Sequence, residues 1–248
     1  MNGPIGPVEQ IAAYELVVEQ IRRAIRTGRF LPGEKLPPER DLAQQLGVSR
    51  TTIREAARVL EGEGLINVRR GAGGGLVIVE QEFDRSRLRE ELRARFGEVE
   101  DILDFRVAVE SQAARLAALR RTEDEIDQLR ALLARMDRLI RGADTGKIAG
   151  FGRADSEFHL GIARASRNSM LIKAVEDARA AMFLPIGAVF KDVQSDANDI
   201  HEEVLEAVEC SDPDAAGSAM TRHVELTRAG LRSFARLERG RSGARQRG

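Results

Sequence analysis

The chain has no tryptophan, one tyrosine and one cysteine in 248 residues, and aromatics make up only 4% of it. The lone Cys210 excludes an internal disulfide and fits a reducing cytoplasm. Net charge is nearly absent, with 39 basic residues set against 40 acidic ones. The molecule as a whole is therefore no basic glue, and any nucleic-acid surface has to be local. Long hydrophobic runs are missing too. The longest uncharged one, Ala180 to Phe190, is 11 residues, too short to span a bilayer and suited to a buried core helix. The N-terminus "MNGPIGPVEQ" has neither a basic segment nor an apolar one, so no signal peptide is expected. No internal repeat is visible. What is present is 42% hydrophobic content, enough to bury a core, and 32% charge.

The pattern changes near residue 80. In "IAAYELVVEQIRRAIRTG", Ile11, Leu16, Val17, Ile21 and Ile25 predict an apolar helix stripe, with Gly28 able to end it. Pro37 and Pro38 suit the entry of a short helix in which Leu42 and Leu46 face inward and which Gly47 closes. Ser49 caps the next helix, whose inward stripe is Ile53, Ala56, Ala57 and Leu60. Two helices joined by "GVS" have the spacing of a helix-turn-helix. "LINVRR" and "LVIVE" around "GAGGG" then predict a hairpin, so the N-terminal part is a winged helix-turn-helix.

Residues 81–97 are charged and weakly amphipathic, and predict a linker with some helix. From Glu98 onward five or more helices are expected. Thr122 to Glu125 forms a capping box, Asn168 or Ser169 caps the helix leading into Ala180–Phe190, and Asp212 with Pro213 opens the last long helix. The fold class is mainly α: a winged helix-turn-helix at 11–80 and an all-α helical bundle at 98–238. A flexible N-terminus (1–10) and a basic, disordered tail (239–248) flank them.

The recognition-type helix carries Arg50, Thr51, Thr52 and Arg54 at its N-terminal end, pointing away from the stripe of Ile53, Ala56 and Ala57. That end of such a helix enters the major groove. There Arg grips guanine edges and Thr meets phosphate or a thymine methyl. Arg40 can reach the backbone, and the glycines of the wing allow close approach. The competing reading is a solvated face with Arg54 and Arg58 paired to Glu55 and Glu61.

The run "LPGEKLPPERDLAQQLGVSRTTIREAARVLEGEGLINVRRGAGGG" strongly resembles the head of the GntR family of bacterial transcription regulators, over about residues 11–79. The resemblance implies double-stranded DNA as partner, with contacts at Arg40, Arg50, Arg54 and Gly73; Thr51 and Thr52 match as well.

Only three histidines are present, and each falls on the apolar face of a helix. Phe151, Asp155, Phe158, His159 and Ile162 share one stripe, with Asp155 and His159 one turn apart. His201 lies with Val204, Leu205 and Val208, and His223 with Met220, Val224 and Thr227. Each histidine alone suits a hydrogen-bonded core position. Together, one Asp and three His from three helices suit a divalent metal, Zn²⁺, Ni²⁺, Mn²⁺ or Fe²⁺, with coordination positions left open.

"DILDFRVAVESQAARLAA", the D-x-x-x-H at 155–159, "IHEEVLEAVECSDPDAA" and "AMTRH" look like the FCD ligand-binding domain of the FadR-like subfamily, over about residues 98–236. The resemblance is to its metal-binding branch, and implies Asp155, His159, His201 and His223 as ligands. Members that bind fatty acyl-CoA lack this set. It also implies that Arg106 reaches the carboxylate of a small organic acid, although from the residues alone Arg106 can pair with Asp104 or Glu110.

The expectation is a cytoplasmic, homodimeric transcription regulator with no membrane association. It reads an inverted-repeat operator, binds a divalent metal (zinc first) and a small carboxylate effector, and is not an enzyme. The alternatives are a metal-dependent hydrolase of helical-bundle type, disfavoured because no inward Glu is evident, and a regulator whose metal is purely structural.

Overall fold

A computed structural model describes residues 11–27, 29–69, 71, 74–79, 85–141, 147–182 and 197–236. The chain divides into two compact units. One comprises Met1–Ile25 and Arg29–Gln81, the other Glu82–Gly248 and Arg26–Gly28.

In the first unit, α1 (Ala13–Arg26), α2 (Glu39–Leu46) and α3 (Arg50–Gly62) precede a hairpin of β1 (Ile66–Arg69) and β2 (Gly75–Ile78). The strands are antiparallel, with Ile66 opposite Ile78 and Arg69 opposite Gly75. Lys35 bridges to Val77, and the Leu36 amide donates to the Leu76 carbonyl at 2.8 Å. The wing thus gains a short third partner that the sequence pattern did not reveal. Val17, Val18, Ile21, Leu42, Ile53, Ala56, Leu60, Ile66 and Leu76 form one core. The α1 stripe differs from expectation at its start. Ile11 precedes the helix and, like Leu16, is exposed, while Val18 takes the inward position one turn before Ile21.

The turn between α2 and α3 follows from two residues. Gly47 adopts φ 66°, a left-handed conformation that costs a residue with a Cβ roughly 1 kcal/mol or more. The Ser49 hydroxyl accepts from the Thr52 amide at 3.0 Å and lies 2.8 Å from the Thr52 hydroxyl. Ser49→Ala is expected to lower the stability of this unit by about 1 kcal/mol. Denaturant midpoints monitored by far-UV circular dichroism check it, and an unchanged midpoint would show that the cap contributes nothing.

The second unit holds α4 (Arg85–Ala94), α5 (Phe96–Arg120), α6 (Glu123–Arg141), α7 (Lys147–Ala165), α8 (Ser169–Ala181), α9 (Ala197–Glu209) and α10 (Pro213–Arg236). α5 packs along α10 and also touches α7, α8 and α9; α6 lies against α7 and α9. The caps fall where the residue chemistry puts them. Thr122 and Glu125 bond reciprocally, Asn168 accepts from the amides of Met170 and Leu171, and Asp212 accepts from those of Asp214 and Ala215.

Two segments depart from the sequence expectation. Where a linker with some helix was expected, residues 85–94 form α4. Leu88 and Leu92 are buried with Leu103, Val224, Leu231 and Phe234, because two leucines one turn apart suffice to dock an otherwise charged helix. The helix expected to contain Ala180–Phe190 ends at Ala181, where Met182 turns extended (φ −68°, ψ 99°). Residues 183–190 lie outside the described residues, as do Gly28, Gly73, the N-terminus 1–10 and the tail 239–248.

Candidate functional site

On the first unit, Arg40, Arg50, Thr51 and Arg54 are exposed, and Thr52 is half-buried. They occupy one side of α2 and α3, opposite the buried Ile53, Ala56 and Leu60. The pairing of Arg54 and Arg58 with Glu55 and Glu61 is not what forms at Arg54 and Glu61. The Arg54 Nε donates to Glu39 at 2.9 Å, Arg50 lies 3.9 Å from the same carboxylate, and Glu61 accepts from the Val68 amide. Glu39 therefore holds two arginines of α3 side by side from the start of α2, a positioning residue that the sequence reading missed. The Thr52 hydroxyl is occupied by the cap, which leaves Thr51 as the freer hydroxyl. Gly73 is outside the described residues.

In the second unit, α7 carries Asp155 and His159, α9 carries His201 and α10 carries His223, and all four are buried. Their ligand atoms lie within 4.8 Å of one another. Asp155 Oδ1 is 3.2 Å from His201 Nε2 and 3.6 Å from His159 Nε2. Two donors each about 2.1 Å from a tetrahedral ion are separated by roughly 3.4 Å, so these spacings suit a shared metal. The ring centroids of His201 and His223 are 4.2 Å apart. Among the described residues neither ring nitrogen of His159 or His201 has a partner in hydrogen-bond geometry, although Asp155 is close. Groups that crowd together without bonding to each other fit a common cation between them. Burial, together with the neighbouring histidines, holds His223 well below its ordinary pKa, and burial also lowers His201 despite the attraction of Asp155. Neutral imidazole is the form that ligates.

Three further buried charges surround this set. Arg106 turns Nε (2.6 Å) and Nη2 (3.4 Å) toward Glu110. Glu110 Oε2 in turn lies 2.5 Å from His159 Nδ1, off the line of a good hydrogen bond. A carboxylate there leaves Nε2 of His159 as the nitrogen available to a metal. Burial alone raises the Glu110 carboxyl, but Arg106 and His159 outweigh it and hold it well below the usual carboxylate range. Arg179 of α8 pairs through Nη2 with Asp155 Oδ2 and reaches the Ser156 hydroxyl at 3.2 Å. Asp155 is likewise driven well down: burial opposes this, and Arg179 and the two histidines prevail. Of the two partners open to Arg106, Glu110 is the one taken, and Asp104 binds Arg228 instead at 2.7 Å.

Arg179, and the approach of Glu110 to His159, were missed by the sequence reading, which had Glu110 only as a possible partner of Arg106. The signal was present: Arg106 and Glu110 interrupt the inward stripe of Val99, Leu103, Ala113 and Ala117 on α5, and Arg179 stands beside the inward Val175 and Ala178 on α8. Glu110 is an inward Glu where none was evident from the sequence. Its carboxylate faces Arg106 and the Nδ1 side of His159, away from Nε2, so it is not placed as a base toward the shared donor point.

The comparisons settle the class. The model described as bacterial regulatory proteins, gntR family, matches residues 13–75, and that of the FCD domain matches residues 101–226. The chain belongs to the GntR family of bacterial regulators and carries an FCD domain. It is 31% identical to the Uxu operon transcriptional regulator of Escherichia coli (strain K12), covering 91% of this chain and 89% of that protein. It is 30% identical to the Exu regulon transcriptional regulator of the same strain, covering 87% and 83%. Among solved structures, E. coli McbR/YncC matches 90% of this chain and 99% of that one with a TM-score of 0.54 and 19% identity, a likeness of fold. The protein is therefore a DNA-binding transcription regulator of the effector-responsive FCD type and not an enzyme. Among the described residues no helix is long and apolar enough to cross a membrane.

Proposed function

We propose that this regulator holds one divalent metal at Asp155, His159, His201 and His223, and that a small organic acid completing the coordination shell changes its affinity for an operator. The observation that carries the reading is the set of four buried donors within 4.8 Å, in which the ring nitrogens of His159 and His201 have no hydrogen-bond partner among the described residues. Zinc suits three imidazoles and a carboxylate, and nickel, manganese and iron(II) suit the same donors. When bound, the metal supplies a Lewis-acid position for an effector oxygen. Arg106 adds positive charge on the α5 side, with its Nε and Nη2 turned to Glu110. A reading with a purely structural metal leaves Nε and Nη1 of the buried Arg179, which have no hydrogen-bond partner among the described residues, without a role.

Arg50, Thr51 and Arg54 read base edges or adjacent phosphates. Thr52, Arg40 and the wing around Gly73 hold the backbone. The active form is a homodimer in the cytoplasm bound to an inverted repeat, since a two-fold protein matches a two-fold site. Phe105 on α5 and Leu226 on α10 are large exposed apolar residues that a second copy would cover.

A thermal-shift screen of small mono- and dicarboxylates against the metal-loaded protein tests the acid. A true ligand at about 100 times its Kd stabilises the folded form by about 2.7 kcal/mol. In a domain of this size that raises Tm by roughly 5–10 °C. The same acid is expected to have no effect after chelation. If no acid shifts the loaded protein, or if the shift survives metal removal, the acid does not bind at this metal.

A further inference from the structure

We propose that Arg179 is the group that receives the effector's carboxylate, with the acid bridging Arg179 and the metal. This inference rests on the reading of the site as an acid-responsive metal centre. Arg179 is 7% exposed. Its Nη2 is used by Asp155 and Ser156, but Nε and Nη1 are buried with no hydrogen-bond partner among the described residues. A guanidinium has five N–H donors, and leaving several unmade in the interior is costly unless a ligand meets them. Arg106 differs, because both its Nε and its Nη2 already face Glu110.

Position and charge agree with this assignment. Arg179 binds Oδ2 of Asp155, while Oδ1 of the same carboxylate faces His201 and His159. The guanidinium is therefore one carboxylate away from the metal donors. A small acid can touch Arg179 with its carboxylate and the metal with a carboxylate or hydroxyl oxygen. Arg106 and Arg179 balance Glu110 and Asp155, so with neutral histidines the metal-free cluster carries no net charge. A divalent ion makes it doubly positive in a buried place, which favours an anion strongly. The order is then metal first and acid second, and an acid able to bring two negative charges is favoured over one that brings a single charge. In this arrangement Arg106 is a positioning residue. It holds Glu110, whose carboxylate stands against the Nδ1 side of the His159 ring.

The test uses full-length protein saturated with Zn²⁺, its occupancy verified by elemental analysis, and calorimetric titration with acetate, L-lactate, malonate and citrate. Wild type is expected to bind malonate or citrate more tightly than acetate, and none of them after chelation. Arg179→Gln, still metal-loaded, is expected to bind the best probe roughly 10- to 100-fold more weakly, with Arg179→Lys in between. A second readout needs no variant: in ¹⁵N spectra the Nε–H signal of Arg179 is expected to move downfield on adding the best probe. Wild-type-like affinity in metal-loaded Arg179→Gln, or an Nε–H signal indifferent to the probe, overturns the assignment and leaves Arg179 as a prop for Asp155. Failure of all four acids to bind wild type overturns the acid-responsive reading itself, and this inference with it.

Discussion

Replacing His201 or His223 by alanine is expected to take the metal content of the purified protein from close to one divalent ion per chain to a small fraction of that. Both imidazoles are buried, and burial keeps both below their ordinary pKa, which favours the neutral form that a metal would take. Loss of a residue that merely supports a metal ligand costs about 10- to 100-fold in affinity. A direct ligand costs more. Because the metal binds the folded form, its stabilisation disappears with it: about 4 kcal/mol where free metal stands at 1,000 times Kd. Chelation of wild type is expected to lower Tm by a similar amount, and to have little effect on either variant. Elemental analysis and melting curves measure both effects. Full occupancy in a protein lacking Asp155, His159, His201 and His223 together would place the metal elsewhere.

Arg50→Ala and Arg54→Ala are each expected to weaken operator binding by about 1–3 kcal/mol, or roughly 5- to 150-fold, and to relax preference at one base position. The two side chains share Glu39 as partner, so their effects are expected to be non-additive. Arg40 differs in kind. Its side chain is 81% exposed and, among the described residues, pairs only with Asp41, next to it in sequence. As a phosphate contact, its loss should weaken all sequences alike and reduce the salt slope by about one. Fluorescence anisotropy with operator and scrambled DNA at several salt concentrations separates these outcomes. Unchanged affinity and salt slope in both α3 variants would remove this face of the helix from the DNA contact.

The helices were legible because their signals are local. Gly47, Ser49, the Thr122–Glu125 box, Asn168 and Asp212 each act within a few residues, and the stripes on α3, α7, α9 and α10 repeat cleanly. The candidate metal donors could be picked out for a related reason: three histidines and an aspartate on apolar stripes are conspicuous in a chain with so few histidines. Their mutual distance was not legible, since it depends on how α7, α9 and α10 pack. The roles of Arg179, of Glu39 and of Glu110 beyond its pairing with Arg106 were missed for one reason. Each is an ordinary charged residue whose role comes from a partner on another element. Glu110 meets His159 from α5, Arg179 meets Asp155 from α8, and Glu39 meets Arg54 from α2. α4 was undervalued because its high charge hid two well-placed leucines, and the end of α8 at Ala181 was overrun because apolar character continues past the last helical residue.

Operator affinity of the metal-loaded protein, measured with and without the acid that most raises its melting temperature, and again after chelation, tests the coupling of the two units most directly. A coupling of about 1–3 kcal/mol is expected, a change of roughly 5- to 150-fold in operator Kd, in the direction of weaker binding. The operator is expected to weaken acid binding by the same factor. Arg106→Ala, which strands Glu110, is expected to blunt the response to low acid concentrations while the protein still binds DNA. An acid that binds at the metal yet leaves operator affinity unchanged in the loaded protein, or changes it equally in the chelated one, would contradict a metal-centred effector switch.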